Sequence, residues 1–430
     1  MPRARPRLFY GWWVVVTSAL ALFLGPTPIV VFSFGVFLKP LIQEFHSGRG
    51  AVSLAFTLHN AIVAFGLPFA GRLVDQFGAR RVILPSTFAV GFILLSTYFC
   101  SGRIWELYLF YAALGVAGCG TAPVSYCDVV SHWFDRYRGL ALGFMMFGLG
   151  AGALIMPSAA QYLTARFGWR LAFGIFGAAI LVITAPVVTI FLKERPEPLG
   201  LLPDGTLHIV TASPRPDDDL GMSWGETWRA PTFWLLFCAF ILVSASVQGC
   251  LAHIAAIFAD RGTPARAAAL ATSLFGGGLL VGRTGSGYLL DRFFAPRVAA
   301  LIFCCAAGGI ALLRITSSQE LAFVAAFFIG LGLGAEVDIM AYLTTRYFGL
   351  RSFGAIYGFI FAGFVLAGGL GVLLMGAAFD ATGSYALMLT LLCIVTLIGA
   401  ALMMRLPPYR FRVTPPGESG TELETLPSEA

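Results

Sequence analysis

The chain has 430 residues, 58% of them hydrophobic and 12% charged, with a mean hydropathy of +0.83. Soluble domains carry about 25% charged residues, so this composition excludes an aqueous globular fold and points to a bilayer. The formal net charge of +6 comes from basic residues between apolar runs, which gives no support to nucleic-acid binding.

Crossing about 30 Å of hydrocarbon takes about 20 residues of helix. Twelve predominantly apolar runs are of this order: 11–38, 50–70, 82–100, 107–127, 139–162, 171–192, 230–259, 267–290, 298–313, 321–345, 353–379 and 384–404. Membrane-spanning strands would alternate polar and apolar residues; these runs do not, so the expectation is an all-α membrane protein with twelve transmembrane helices. The opening MPRARPRLFYGWW resembles the basic region of a signal peptide, with Ala19-Leu20-Ala21 as a cleavage site. The apolar run continues to Leu38, too long for a signal core, and reads as a retained first span.

Short cytoplasmic loops collect Lys and Arg. With the N-terminus inside, the inner segments hold nineteen of the 28 basic residues and the outer segments eight, and the remaining one is Arg283 within the eighth run. Both termini are therefore expected in the cytoplasm, in an integral protein of the plasma (cytoplasmic or inner) membrane. All eight cysteines lie in or at the ends of apolar runs without a CxxC spacing, which reads as small buried hydrophobes rather than metal ligands or disulfides. No cofactor or metal is implied.

Between the sixth and seventh runs lies the longest polar stretch, rich in proline and aspartate. It divides the chain into an N-terminal six-helix half (1–192), a cytoplasmic linker (193–229), a C-terminal six-helix half (230–406) and a polar tail (407–430) expected to be disordered. The halves repeat. GRLVDQFGARRV at 71–82 and GYLLDRFFAPRV at 287–298 share Gly, Asp, Phe, Arg and Val at an offset of 216 residues. HWFDRYRGLALG at 132–143 echoes RYFGLRSFGAIYG at 346–358. Such parallel repeats place a binding site between the halves near the bilayer midplane. In the loop motif Gly71 and Gly287 would let helix ends approach closely. Asp75 and Asp291 could face a helix N-terminus, and Arg80, Arg81 and Arg292 would anchor at the inner interface.

GRLVDQFGARR at 71–81 resembles the signature loop of the major facilitator superfamily, and its second copy the degenerate counterpart. WFDRYRGLALGFMMFGLGAG at 133–152 is similar to the fifth-span motif of the monocarboxylate transporter family, through Trp133, Phe134, Arg136, Arg138, Leu140, Ala141, Gly143, Gly148 and Gly152. FYGWWVVV and the eighth-span Arg283 also resemble that family and the bacterial oxalate/formate exchangers, and the resemblance implies that Arg283 binds a substrate carboxylate. The chain departs from the pattern at Leu279, where monocarboxylate transporters often carry Asp. It also has no intramembrane lysine, only Lys39 near the outer end of span one and Lys193 in the linker.

An ionised side chain in a span costs several kcal/mol and usually faces a partner or a watery cavity. Arg283 lies about 6 Å inward of the middle of its run, too deep to snorkel. Glu336 and Asp338 in the tenth run lie at a matching depth, about 200° apart around the helix, so one of the two is expected to face the cavity and pair with Arg283. Which one stays open, and a fixed helix-to-helix ion pair is the structural alternative. His59 and Asn60 lie at the middle of the second run. His59 could bind substrate or carry a proton, and Tyr126 and Tyr342 are further substrate-binding candidates. His253, nearer the outer end of span seven, could be a gate or a plain interfacial residue. Asp128 is expected to pair with Arg80, Arg81 or Arg136. The strings GLGAG at 148–152 and GLGLG at 330–334 read as close helix packing.

The expected function is secondary active transport of a small organic anion by alternating access of the two halves. A monocarboxylate moving with a proton is the first substrate, and a monomer in the lipid bilayer the expected state. The alternatives are a dicarboxylate or organic-anion exchanger or exporter of the same fold, and a non-transporting membrane sensor. Cys127, Asp128 and His132 form no nucleophile motif, so an enzyme is not expected.

Overall fold

The computed structural model describes residues 9–134, 137–201, 204, 221–349 and 351–409. Arg136 lies outside the described residues, as do 410–430, residues 202–220 apart from Asp204, and the side chains of Asp75, Arg138 and Asp291. All described secondary structure is helical, apart from one isolated bridge between Gly221 and Gly349.

Among the described residues, eleven helical segments are long and apolar enough to cross a membrane. One of them, Leu140–Phe191, has 52 residues, about 78 Å at 1.5 Å per residue and more than twice a hydrocarbon core of about 30 Å. It is interrupted at Gly168, whose φ of 79° and ψ of 165° are far from helical and open at little cost only to a residue without Cβ. The segment therefore supplies two crossings, and the total is the expected twelve.

The first crossing is broken. It comprises α1 (Gly11–Phe23), a π turn (Thr27–Phe32) and α2 (Phe34–Phe45). Pro26 and Pro28 remove N–H donors from the break, and the Ser33 hydroxyl donates to the Pro28 carbonyl at 2.9 Å. Next come α3 (Arg49–Phe77) and α4 (Ala79–Ser96). The fourth crossing is also broken, into α5 (Ile104–Gly120) and α6 (Pro123–Trp133), with Pro123 opening the second piece where a missing N–H costs nothing. The double-length run is α7 (Arg138–Ala179), a π turn (Ile180–Thr184) and α8 (Ala185–Phe191).

The short α9 (Trp224–Arg229), closed by a Ser223/Glu226 capping box, packs Trp224 and Trp228 on Phe359. The second half follows as α10 (Pro231–Asp260), α11 (Ala265–Arg292), α12 (Ala295–Ile315), α13 (Gln319–Phe348), α14 (Phe353–Thr382) and α15 (Ala386–Met404). The repeat is structural as well as sequential. α3 and α11 begin at Arg49 and Ala265, α4 and α12 at Ala79 and Ala295, each pair 216 residues apart.

The halves meet where α3 packs on α14 and α7 on α11. Their ties run from mid-depth to the end remote from the termini. Asn60 Nδ2 donates to the Val365 carbonyl at 3.3 Å, the Thr57 hydroxyl to the Gly369 carbonyl at 2.7 Å, and Ser53 Oγ lies 3.3 Å from His253 Nε2. At that remote end Arg49 binds Asp260 through both guanidinium nitrogens (2.7 and 3.0 Å) and donates to the Tyr385 hydroxyl. The carboxylate of Asp380 on α14 accepts from the backbone N–H groups of Arg49 and Gly50 at 2.9 and 2.7 Å. The first turn of α3 is thus capped by the other half, where a carboxylate meets both free donors and the positive end of the helix dipole. The far end is sealed.

Candidate functional site

Between the halves lies a cavity of about 290 Å3, at the lower end of the range for small-molecule sites. Both helix breaks line it, through Pro26 and Thr27 of the first crossing and Ala122 and Pro123 of the fourth. Irregular backbone at membrane depth is tolerated where it faces a cavity. Most of the wall is apolar, with Phe32, Met146, Leu149, Phe361 and Phe364 among its residues. The polar groups are few: Arg283 from α11, His59 and Asn60 from α3, Gln248 from α10, Tyr357 from α14 and Thr27.

The contact between α11 and α13 explains how Arg283 is held. A Cβ on Gly282 would lie within 2.3 Å of the Leu331 carbonyl oxygen, and one on Gly334 within 2.0 Å of the Leu279 oxygen. Backbone meets backbone there, and only glycine on each helix allows it. This apposition places Arg283, next to Gly282, beside Asp338, one turn beyond Gly334. Arg283 Nε lies 3.5 Å from Asp338 Oδ2. The pair is loose: Nε and Nη1 are buried yet donate to no hydrogen-bond acceptor among the described residues.

The question left open by the sequence therefore has a geometric answer. Asp338 is the partner of Arg283, and Glu336 is not. Glu336 has no exposed surface, and neither carboxyl oxygen has a partner among the described residues. Gly332, one turn before it, faces Ala306 of α12 and Val247 of α10, so Glu336 lies on the helix face turned into the C-terminal bundle.

His59 and Asn60 do line the cavity. His59 Nδ1 lies 3.3 Å from the Tyr111 carbonyl; a carbonyl only accepts, so Nδ1 carries the proton and Nε2 is left as an acceptor in the neutral ring. Tyr126 and Tyr342 do not line it. Tyr126 is buried within the N-terminal half beside Thr87 of α4. The Tyr342 hydroxyl accepts from Arg346 at 3.0 Å, and Tyr342 shares a second cavity, about 450 Å3, with Asp338 and Gly287 on the side of the termini. Asp338 thus faces that second space while Arg283 faces the first.

Sequence reasoning missed Gln248 and Tyr357, each a lone neutral polar residue in an apolar run. It also missed the Arg49 cluster, whose members come from four separate crossings. His253 belongs to that far-end network, with Nδ1 2.9 Å from the Tyr385 hydroxyl.

Around the first signature loop, Arg80 donates to the Thr189 carbonyl at 2.6 Å and Glu194 accepts from the Ala79 N–H at 3.2 Å, fastening α4 to α8 and the segment after it. Arg80, Arg81 and Asp128 line one wide cavity at this end, about 920 Å3. Of the three partners expected for Asp128, Arg80 and Arg81 are corrected and Arg136 lies outside the described residues. Among the described residues Asp128 Oδ2 lies 3.8 Å from His132 Nδ1 one turn on, and the Arg80 guanidinium is turned to Thr189. The reason given for Gly71 and Gly287 is corrected too, since a Cβ on either would meet nothing within 4 Å. Arg292 lies over the Tyr288 ring at 4.3 Å.

Comparison with known proteins agrees with this fold. The family model described as Major Facilitator Superfamily matches residues 19–372 and again 256–427. Monocarboxylate transporter 13 of Bos taurus is 25% identical over 405 residues, 93% of this chain and 90% of its own. The oxalate:formate antiporter of Oxalobacter formigenes is 26% identical over 377 residues, 84% of each. Among solved structures, a bacterial homologue of the human lysosomal transporter Spinster, inward-facing and unoccupied, superposes with a TM-score of 0.66 at 20% identity over 94% of this chain and 95% of that one.

Proposed function

Because the chain belongs to the major facilitator superfamily and is a membrane transporter of that fold, we propose that it carries a small organic anion, a monocarboxylate moving with a proton, by alternating access of its two six-helix halves. The observation that carries this reading is the buried guanidinium of Arg283 on the wall of the interhalf cavity, only loosely met by Asp338 at 3.5 Å and with no hydrogen-bond acceptor for Nε or Nη1 among the described residues. Unmet donors of a charged group within a membrane-embedded wall favour an anionic ligand, and a carboxylate fits a guanidinium with two parallel hydrogen bonds. The similarity to monocarboxylate transporter 13 supports the same substrate class.

The loose pair with Asp338 supplies the coupling. When a substrate carboxylate takes the guanidinium, Asp338 loses its counter-charge, and a proton arriving from the second cavity restores neutrality at the site. The loaded site then holds one cation and one anion, and the halves can rock across it. This reading places residues 1–192 and 230–406 as the moving bodies, 193–229 as the link between them, and both termini in the cytoplasm. A second reading, exchange of organic anions, is supported by the similarity to the oxalate:formate antiporter.

The test is uptake into proteoliposomes of labelled monocarboxylates from lactate to hexanoate, with and without an imposed inward proton gradient, for the wild type and Arg283→Gln. Gradient-driven uptake that the variant loses is the expected result. Uptake that needs internal anion and ignores the gradient selects exchange. Wild-type affinity in both Arg283→Gln and Arg283→Lys overturns the role given to the arginine.

A further inference from the structure

The cavity has two chemically different poles. At one are the donors, the Arg283 guanidinium and the Tyr357 hydroxyl, neighbours within electrostatic range of each other. At the other are His59, Asn60 and Gln248, and each has already spent a donor on the protein. His59 Nδ1 is turned to the Tyr111 carbonyl and Asn60 Nδ2 to the Val365 carbonyl. Gln248 Nε2 donates at 2.8 Å to Ser244 Oγ, whose own hydrogen goes to the Phe364 carbonyl at 2.7 Å. These chains fix the orientation of both amides and the tautomer of the neutral ring. What is left is His59 Nε2, Asn60 Oδ1 and Gln248 Oε1, together with the second hydrogen of each amide, so acceptors predominate. No cation is among the cavity-lining residues besides Arg283.

The poles are separated along the membrane normal. On α14 Tyr357 sits by Arg283 and Val365 by Asn60, and the eight residues between them rise about 12 Å. Taken from the far ends of the helices, Arg283 is 18 residues down α11 from Ala265, Gln248 12 residues from Asp260 and His59 10 residues from Arg49. That gives a difference of about 9 to 12 Å. The wall between the poles is apolar and aromatic, with Phe361 and Phe364 on α14 facing it.

We propose that the substrate is a monocarboxylate of several carbons with a hydrogen-bond donor, a hydroxyl or ammonium group, at its far end. The carboxylate lies on Arg283, the apolar body along Phe361 and Phe364, and the distal donor among His59, Asn60 and Gln248. This rests on the carboxylate reading of Arg283 and sharpens it. An α-hydroxyl cannot span the gap, and a second carboxylate would meet three acceptor atoms against two amide hydrogens, with no cation to receive its charge. Long dicarboxylates are therefore disfavoured by the same wall that favours a hydroxyl.

The experiment is calorimetric titration of the full chain in lipid nanodiscs with four ligands built on the same six-carbon chain: hexanoate, 6-hydroxyhexanoate, 6-methoxyhexanoate and adipate. The expected order puts 6-hydroxyhexanoate at least tenfold tighter than hexanoate, with the methoxy compound and adipate no tighter than hexanoate. Gln248→Met, confirmed folded by its thermal unfolding, should weaken the hydroxy compound by a larger factor than it weakens hexanoate. Equal affinity for hexanoate and 6-hydroxyhexanoate, or tighter binding of adipate than of either, overturns the proposal. Arg283→Gln separates the two levels. If it abolishes hexanoate binding, the carboxylate reading stands and the rank order judges the distal donor alone; if it leaves all affinities unchanged, that reading fails and this one with it. Absence of binding by all four ligands also overturns the proposal.

Discussion

Replacing Arg49 by methionine should release the far end. The side chain is 12% exposed, with two nitrogens on Asp260 at 2.7 and 3.0 Å and a third contact to the Tyr385 hydroxyl at 2.5 Å. Its guanidinium carbon also stands 3.6 Å above the Phe379 ring. Methionine keeps most of the volume and removes the charge. Neither partner is orphaned, because Asp260 retains Lys39 at 2.7 Å and the Tyr385 hydroxyl retains His253 at 2.9 Å. The loss is then close to the net worth of the contacts. About 1 kcal/mol is assigned to the part-exposed ion pair, about 1 to the hydroxyl bond and about 0.5 to 1 to the cation–π contact, roughly 2.5 to 3 kcal/mol together. That shifts the ratio of far-end-open to far-end-closed molecules by about 70- to 160-fold.

Ser53 reports the shift. It has no exposed surface and sits in the seam against His253, so a Ser53→Cys thiol reacts with a maleimide only when the far end parts. With the open state a minor species, the labelling rate follows its population. The rate, read on the peptide carrying residue 53 by mass spectrometry, should rise by the same factor in the Arg49→Met background. A change of less than threefold refutes the reasoning.

Asp338→Asn should abolish the acceleration of uptake by a proton gradient while leaving exchange of internal for external anion measurable; uptake that still follows the gradient would assign the proton elsewhere. Gly282→Ala and Gly334→Ala place a methyl group against backbone oxygens that cannot turn aside, and each should cost about 1 to 3 kcal/mol, seen as a clear fall in the thermal unfolding midpoint. Gly71→Ala and Gly287→Ala, with open space at Cβ, should leave that midpoint within error, so a comparable fall in all four variants would contradict the packing described.

The twelve crossings and the 216-residue repeat were legible because length and polarity suffice to recognise a span. The breaks near Pro26 and at Pro123 were not read, since hydropathy is insensitive to backbone path and the prolines sit within runs that remain apolar throughout. Arg283 stood out because a charge in a span is costly wherever it points. Gln248 and Tyr357 did not, because a neutral polar side chain at mid-span is cheap, and only the rotation of its helix decides whether it faces a cavity. The same rotation separates Asp338 from Glu336. It is set by the meeting of Gly282 with the Leu331 backbone and of Gly334 with the Leu279 backbone, contacts between residues about 50 apart whose phase no local pattern encodes. The expectation that Asp128 meets Arg80 or Arg81 failed for a related reason, as depth placed it among the arginines while the turn of α6 set it beside His132.

The pairing of Arg283 with Asp338 also bears on how the chain is made. The arginine precedes its counter-ion by 55 residues, and at about 5 to 20 residues per second the ribosome takes about 3 to 11 seconds to deliver the second. During that interval α11 occupies the insertion machinery with an unneutralised guanidinium, a burden of about 2.5 to 3.5 kcal/mol on insertion scales. The rest of α11, apolar enough to span by itself, has to offset that cost until α13 arrives, so the helix is less securely held in the lipid before that moment than after it.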